Sequence, residues 1–211
     1  MKKTRILIAD DHSVVRDGVA NIIRRTADLE LVGEAASGQE AVALVLDQGP
    51  DAAILDLDMP GGGLELVARV HALRPDLRIL VLSQHAEREF AQRAIEAGAR
   101  GYVGKEAGIA EIGEAIHRVA TGRRYLSEEA QELMLARASG DELPVHPHER
   151  LSTRELEVAL RIARGQRVGK IAEDLGLSFR TVSTHRVHAL EKLGLATNAE
   201  LTLYAREHGL I

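Results

Sequence analysis

Five side chains able to do chemistry stand at the ends of short apolar runs. Asp10 and Asp11 follow RILIA (5–9), Asp56 closes AAILD (52–56), Ser83 closes RILVLS (78–83), and Lys105 comes just after GYV (101–103). In an open α/β sheet, parallel strands deliver their carboxyl ends to one rim, and ligands bind beyond it. Three carboxylates gathered there repel one another and shift their pKa values unless a cation sits among them. Oxygen-only ligands favour a hard ion, and Mg²⁺ with several retained waters is the natural candidate. A carboxylate facing that ion is also a nucleophile for a phosphoryl group. A hydroxyl at Ser83 and an ammonium at Lys105 are suited to hold the equatorial oxygens of that group. Singly these residues say little, since an Asp-Asp step after a strand more often caps a helix and a lone Lys is usually just solvated. Acids on two strand ends, with Ser and Lys on two more in this order, are much harder to obtain by accident.

The rim requires a sheet. RILIA, LELVGEA (29–35), AAILD, RILVLS and GYV are strand-like in length and branching, and amphipathic stretches separate them. After GYV, Ile109, Ile112, Ile116 and Val119 keep a helical beat. Ser37 and Glu40 have capping-box spacing at one helix start. Five β-α units imply a doubly wound parallel sheet with helices on both faces. From about Gly122 this pattern stops, and a stretch rich in Gly, Asp, Pro and His follows, with a short helix expected over 127–138.

The rest of the chain reads as all helical. Capping-box pairs Ser152/Glu155 and Thr197/Glu200 bracket four helical segments, two of them joined by the tight LGLS turn, the pattern of a helix-turn-helix. On a helical wheel of residues 178–194, Val182, Ala189, Leu190 and Leu193 gather on a core side. Arg180, Ser183, Thr184, Val187 and Glu191 gather opposite. Small polar residues near the N-terminus of such a helix suit a major groove ~12 Å wide. The hydroxyls and Val187 are placed for base edges, and Arg180, Arg186, His188 and Lys192 for phosphates. An ordinary amphipathic helix with a solvated face would look the same in isolation.

Composition sets the outer bounds. The chain has 211 residues, 45% hydrophobic and 28% charged, which describes a globular protein with room for two domains. Aromatics are only 2%, so the core must be aliphatic, and the absence of cysteine excludes disulfides, thiol nucleophiles and Cys-built zinc sites. Neither a secretory leader nor a membrane span is visible, so a cytoplasmic location away from membranes is expected. The net charge of -5 is uneven: residues 151–211 hold nine Lys/Arg against seven Asp/Glu, leaving 18 against 25 in the rest. An acidic front and a mildly basic back suggest two tasks.

The pieces ILIADDHSVVRDG, ILDLDMP, VLSQHAE and GARGYVGKEA together resemble the receiver domain of two-component response regulators. That resemblance covers residues 1–122 and implies a flavodoxin-like fold with Asp56 as phospho-acceptor. It implies Asp11 as a Mg²⁺ ligand, Asp10 assisting, and the backbone carbonyl of Asp58 completing the protein's share of the metal shell. Ser83 and Lys105 fall at the family's phosphate-sensing hydroxyl and lysine, and Tyr102 at the aromatic position that swings inward with that hydroxyl. One departure stands out: after Met59-Pro60 the loop is one residue short, with glycines at 61, 62 and 63 in place to absorb the loss through unusual φ/ψ values.

Downstream, LSTRELEV, KIAEDLGLSFRTVSTH, LEKLG and AREHGLI resemble the LuxR-type helix-turn-helix module over residues 148–211. Residues 123–147 are then expected to form the linker, and the arrangement resembles that of NarL/FixJ-like regulators. The implied DNA-reading set is Arg180, Thr181, Ser183, Thr184, Arg186, Val187, His188 and Lys192. Ser183 stands where a Lys is frequent, and Arg167 to Ala172 replace the common SNKEIA, which points to a different operator preference or weaker binding. The expected function is a DNA-binding transcription regulator, not an enzyme, switched by a sensor histidine kinase. Its expected partners are double-stranded promoter DNA, that kinase, a second copy of the chain when active, with contacts near Leu203, and RNA polymerase as a further candidate. Two rivals are weighed. One is a regulator independent of phosphorylation, motivated by the short loop. The other is a phosphatase built on Asp56-Leu57-Asp58, disfavoured because that motif lies on the third strand with Pro60 two positions later.

Overall fold

A computed structural model describes residues 2–139 and 146–211, so 140–145 of the expected linker lie outside the described residues. The chain divides into two compact units, Met1–Met134 and Leu135–Ile211.

In the first unit, β1 (Thr4–Ala9), β2 (Leu29–Ala35), β3 (Ala52–Leu55), β4 (Arg78–Ser83) and β5 (Gly101–Gly104) alternate with α1 (Ser13–Arg25), α2 (Gly38–Gln48), α3 (Leu64–Leu73), α4 (Glu87–Glu96) and α5 (Ile109–Ala120). All pairings are parallel, in the order β2-β1-β3-β4-β5. β3 is buried along its whole length, and β1 and β4 over all but their first residues, as central strands covered on both faces must be. Ile6, Ile8, Ile54, Leu80, Leu82 and Val103 from the sheet meet Val19 and Ile23 of α1 and Ile116 and Val119 of α5 in one aliphatic core.

The sheet does not end its influence at β5. Tyr125 bridges to Gly101 in parallel, with Tyr102 N–H donating to the Tyr125 carbonyl at 3.0 Å. A further helix, α6 (Glu128–Ser139), contains the boundary between the units. The first unit therefore runs past Gly122, where the alternating sequence pattern ends.

A 3-10 turn (Pro147–Arg150) precedes four helices in the second unit: α7 (Thr153–Ala163), α8 (Val168–Leu175), α9 (Phe179–Leu193) and α10 (Asn198–Glu207). Ser152 caps α7 as a full capping box. Ser37 and Thr197 also cap their helices, but Glu40 and Glu200 reach one residue further back, to the N–H groups of Ala36 and Ala196. α8 stops at Gly176 in the left-handed region (φ 65°), and Ser178 starts α9 by accepting from Thr181 N–H. Among the described residues no helix is long and apolar enough to cross a membrane.

Candidate functional site

One extra ladder hydrogen bond fixes each reactive residue at the carboxyl rim. Asp10 N–H donates to Ala35 O, Asp56 N–H to Ala9 O, and Lys105 N–H to Ser83 O, at 3.1, 2.9 and 2.8 Å. Their side chains consequently converge. Lys105 Nζ lies 2.7 Å from Asp10 Oδ2 and 2.8 Å from Asp56 Oδ2, straddling two carboxylates that are almost wholly buried. Asp11, half-exposed, is joined by His12, whose Nδ1 lies 2.8 Å from Asp11 Oδ1 and 3.3 Å from Asp10 Oδ1. Donor atoms of Asp10, Asp11, His12 and Asp56 all lie within 4.8 Å of one another. His12 is an addition to the residues expected from sequence, and its only sequence signal was adjacency to the acid pair.

The electrostatics match that crowding. Burial first of all, then the neighbouring Asp10 and Asp58, push the Asp56 carboxyl up to about 6, with Lys105 pulling the other way. Burial alone would lower Lys105, but the Asp56 and Asp10 carboxylates outweigh it and hold the ammonium above its ordinary value. A basin with three acids and one cation is short of positive charge, and oxygen donors in that number fit a hard divalent ion.

The loop after Asp56 closes on its three glycines. Gly61 and Gly63 take positive φ of 69° and 81°, which side-chain-bearing residues rarely adopt. At Gly62 a Cβ would lie 2.7 Å from the Leu57 carbonyl oxygen. Gly62 and Gly63 N–H groups donate back to Met59 O and Leu57 O, and Asp58 N–H donates to Asp56 Oδ1 at 3.1 Å.

On the far side of the basin Ser83 and Tyr102 are fully buried. Tyr102 OH donates to the His85 carbonyl at 2.8 Å, so the aromatic ring is turned inward, and burial pushes its phenol well above the usual tyrosine range. His85, absent from the expected set, places Nε2 3.0 Å from Asp58 Oδ1.

α9 presents the face expected from its wheel in most respects. Val182, Ala189 and Leu190 are buried, while Leu193 is half-buried. Arg180, Thr184, Val187, His188 and Lys192 are exposed, and Thr181, Ser183 and Arg186 half-buried. Several are already engaged within the unit. The Thr181 hydroxyl meets Ser178 Oγ at 2.8 Å, Thr184 Oγ1 donates to Arg180 O, and Arg186 Nε donates to Asn198 Oδ1 at 2.6 Å. Lys192 Nζ bonds Glu155 Oε2 at 2.6 Å, which ties α9 to the capping box of α7. Phe179, the first residue of α9, leaves 64% of its surface exposed.

Comparison with known proteins bears on both units. Residues 6–117 match the model of the response regulator receiver domain, and residues 149–205 that of bacterial regulatory proteins of the luxR family. The chain belongs to the NarL/FixJ family of response regulators. It is 36% identical over 208 residues to the response regulator GacA of Pseudomonas viridiflava, covering 98% of this chain and 97% of that one. It is 35% identical over 206 residues to the response regulator UvrY of Escherichia coli K12, covering 97% and 94%. Among solved structures, RcsB of Salmonella typhimurium superimposes with a TM-score of 0.78 at 25% identity, covering 98% of each chain. RcsB of Salmonella enterica serovar Typhimurium bound to promoter P1flhDC in the presence of phosphomimetic BeF3⁻ gives 0.73, covering 96% of this chain and 98% of that one. This response regulator thus pairs a receiver with a LuxR-type DNA-binding module and is a DNA-binding member of a two-component system.

Proposed function

We propose that Asp56 accepts a phosphoryl group from a sensor histidine kinase and that this event controls promoter binding by α9. The receiver comprises residues 1–122, the linker 123–147 and the DNA-binding domain 148–211. The observation that supports this most is the Lys105 ammonium straddling Asp10 and Asp56 at 2.7 and 2.8 Å, on a rim where four strands end together. Asp56 Oδ attacks phosphorus, the bond to the donor breaks, and Lys105 and Ser83 stand beside the new phosphoryl oxygens. Asp10, Asp11, Asp56 and the Asp58 carbonyl are the residues that would hold Mg²⁺. When bound, that ion neutralises charge on the transferring group. Lys105 and Asp10 keep the acceptor oriented, and Tyr102 with Ser83 reads the product.

Phosphorylation adds charge and biases two receiver states a few kcal/mol apart. On the DNA side, Ser183, Thr184 and Val187 face base edges, and Arg180, Arg186, His188 and Lys192 supply phosphate contacts with Thr181 beside them. Paired half-sites call for a homodimer on DNA, with Leu203 of α10, 58% exposed, among its contacts, and RNA polymerase as a further partner. The protein works in the cytoplasm and turns over no separate substrate. Acetyl phosphate with Mg²⁺ is expected to add the mass of one phosphoryl group and to sharpen band shifts on promoter DNA. An Asp56→Asn protein that gains the same mass and shifts DNA like wild type overturns the reading. A regulator independent of phosphorylation would bind DNA identically with and without the donor.

A further inference from the structure

His85 has no role in the resemblance, yet it touches Ser83, Tyr102 and Asp58. Its N–H donates to Ser83 Oγ at 3.2 Å, and its carbonyl accepts from Tyr102 OH at 2.8 Å. Its ring puts Nε2 3.0 Å from Asp58 Oδ1, and it stacks on Phe90 of α4 with centroids 4.4 Å apart and planes at 11°. The ring is fully buried, with 0% of the side chain exposed. One residue therefore joins the loop after Asp56, the end of β4, the buried hydroxyl of β5 and the first turns of α4.

His85 lies beyond the last residue of β4, so no sheet ladder fixes its carbonyl. Its ring is wedged between a carboxylate and an aromatic face, and its N–H is tied to Ser83 Oγ. We propose that His85 is a positioning residue that holds Ser83 and Tyr102 in the inward arrangement before any phosphoryl group arrives. A buried phenol needs a partner for its hydroxyl. If the ring loses its seat, the carbonyl drifts, Tyr102 loses its acceptor, and the inward position loses its support. Asp58 is the other half of the device: it follows the phospho-acceptor by two residues and grips the ring from the opposite loop. The receiver is thus partly pre-set, and events at Asp56 act on the tie through Asp58. The word switch rests on the proposed function, but the tie itself is measurable without phosphate.

The chain has three tyrosines and no tryptophan, which makes the test direct. The full-length protein, labelled with 3-fluorotyrosine and kept free of phosphodonor, is examined by fluorine NMR, with Tyr102→Phe assigning the signal. In the wild type the Tyr102 resonance should be sharp and shielded from a soluble paramagnetic agent. In His85→Ala and in Asp58→Ala it should broaden and relax several-fold faster, while the Tyr125 and Tyr204 signals stay put. A Tyr102 signal that remains shielded in both variants overturns the positioning role. If His85→Ala disturbs all three signals, its fold is lost and Asp58→Ala alone decides. Failure of Asp56 to take up phosphate would sink the proposed function and leave this result standing.

Discussion

Both units of the molecule bury charge, and they do so in opposite ways. At the receiver rim the buried or half-buried carboxylates outnumber the one ammonium among them, and burial first, then Asp10 and Asp58, lifts Asp56 to about 6. In the DNA-binding unit the buried acids are matched, by two buried arginines and by lysines that reach in from the surface. Arg161, 1% exposed, lies 3.7 Å from Glu157 and 3.8 Å from Asp174, Arg154 pairs with Glu157 at 2.7 Å, and Lys170 with Asp174 at 2.9 Å. A balanced network inside helices is architecture. An unbalanced one at a loop edge is a place prepared for a cation and a phosphoryl group.

The contrast can be broken in several places. The largest effect belongs to Asp56→Ala, which should lose phosphoryl uptake from acetyl phosphate completely by intact-protein mass, because no other carboxylate on the rim takes its place. Next, Arg161→Ala should cost about 3–5 kcal/mol in urea unfolding, since it leaves Glu157 and Asp174 buried beside a lost partner. Millimolar Mg²⁺ should not restore it. Lys105→Ala should cost less, about 1–3 kcal/mol, because Asp56 can take a proton rather than stay charged. Here Mg²⁺ should recover most of the loss, and equal behaviour of the two variants would erase the distinction.

A smaller effect follows from pH. The folded Asp56 titrates at about 6 against 3.8 for an ordinary carboxyl. The folded state therefore holds the extra proton between those values, and wild-type stability falls as pH rises through that window. Asp56→Asn lacks this dependence. With EDTA present it should exceed wild type by about 1–2 kcal/mol at pH 7.5, with the gain shrinking towards pH 4. The loss of one Lys105 partner trims the gain. The smallest change is Ser183→Lys, which should steepen the salt dependence of DNA binding by about one phosphate contact, measured by fluorescence anisotropy.

Much of this was legible in the residues. Strand ends, helix caps and the placing of Asp10, Asp11, Asp56 and Lys105 at one rim follow from short-range patterns, because strands and caps obey local rules. The contacts that escaped are non-local. His85 and Asp58 meet across two loops, and no spacing rule joins them. Arg161 and Glu157 carry i,i+4 spacing that reads as a solvated face, yet α7 is buried from Arg154 to Ala163. Lys192 bonds Glu155 from 37 residues away, a contact that no local pattern announces. Tyr125 continues the pairing of β5 from beyond the last periodic residue, where no apolar alternation announces it.

The short loop after Pro60 has one more consequence, on the side of the sheet away from Lys105. Gly38 N–H donates to the Pro60 carbonyl at 2.8 Å, and any Cβ at position 38 would collide with the Gly61 carbonyl. The loop that carries Asp58 and the bare backbone at the start of α2 are therefore packed backbone against backbone. A side chain at position 38 would have to push the first turn of α2 away from the phospho-acceptor's loop.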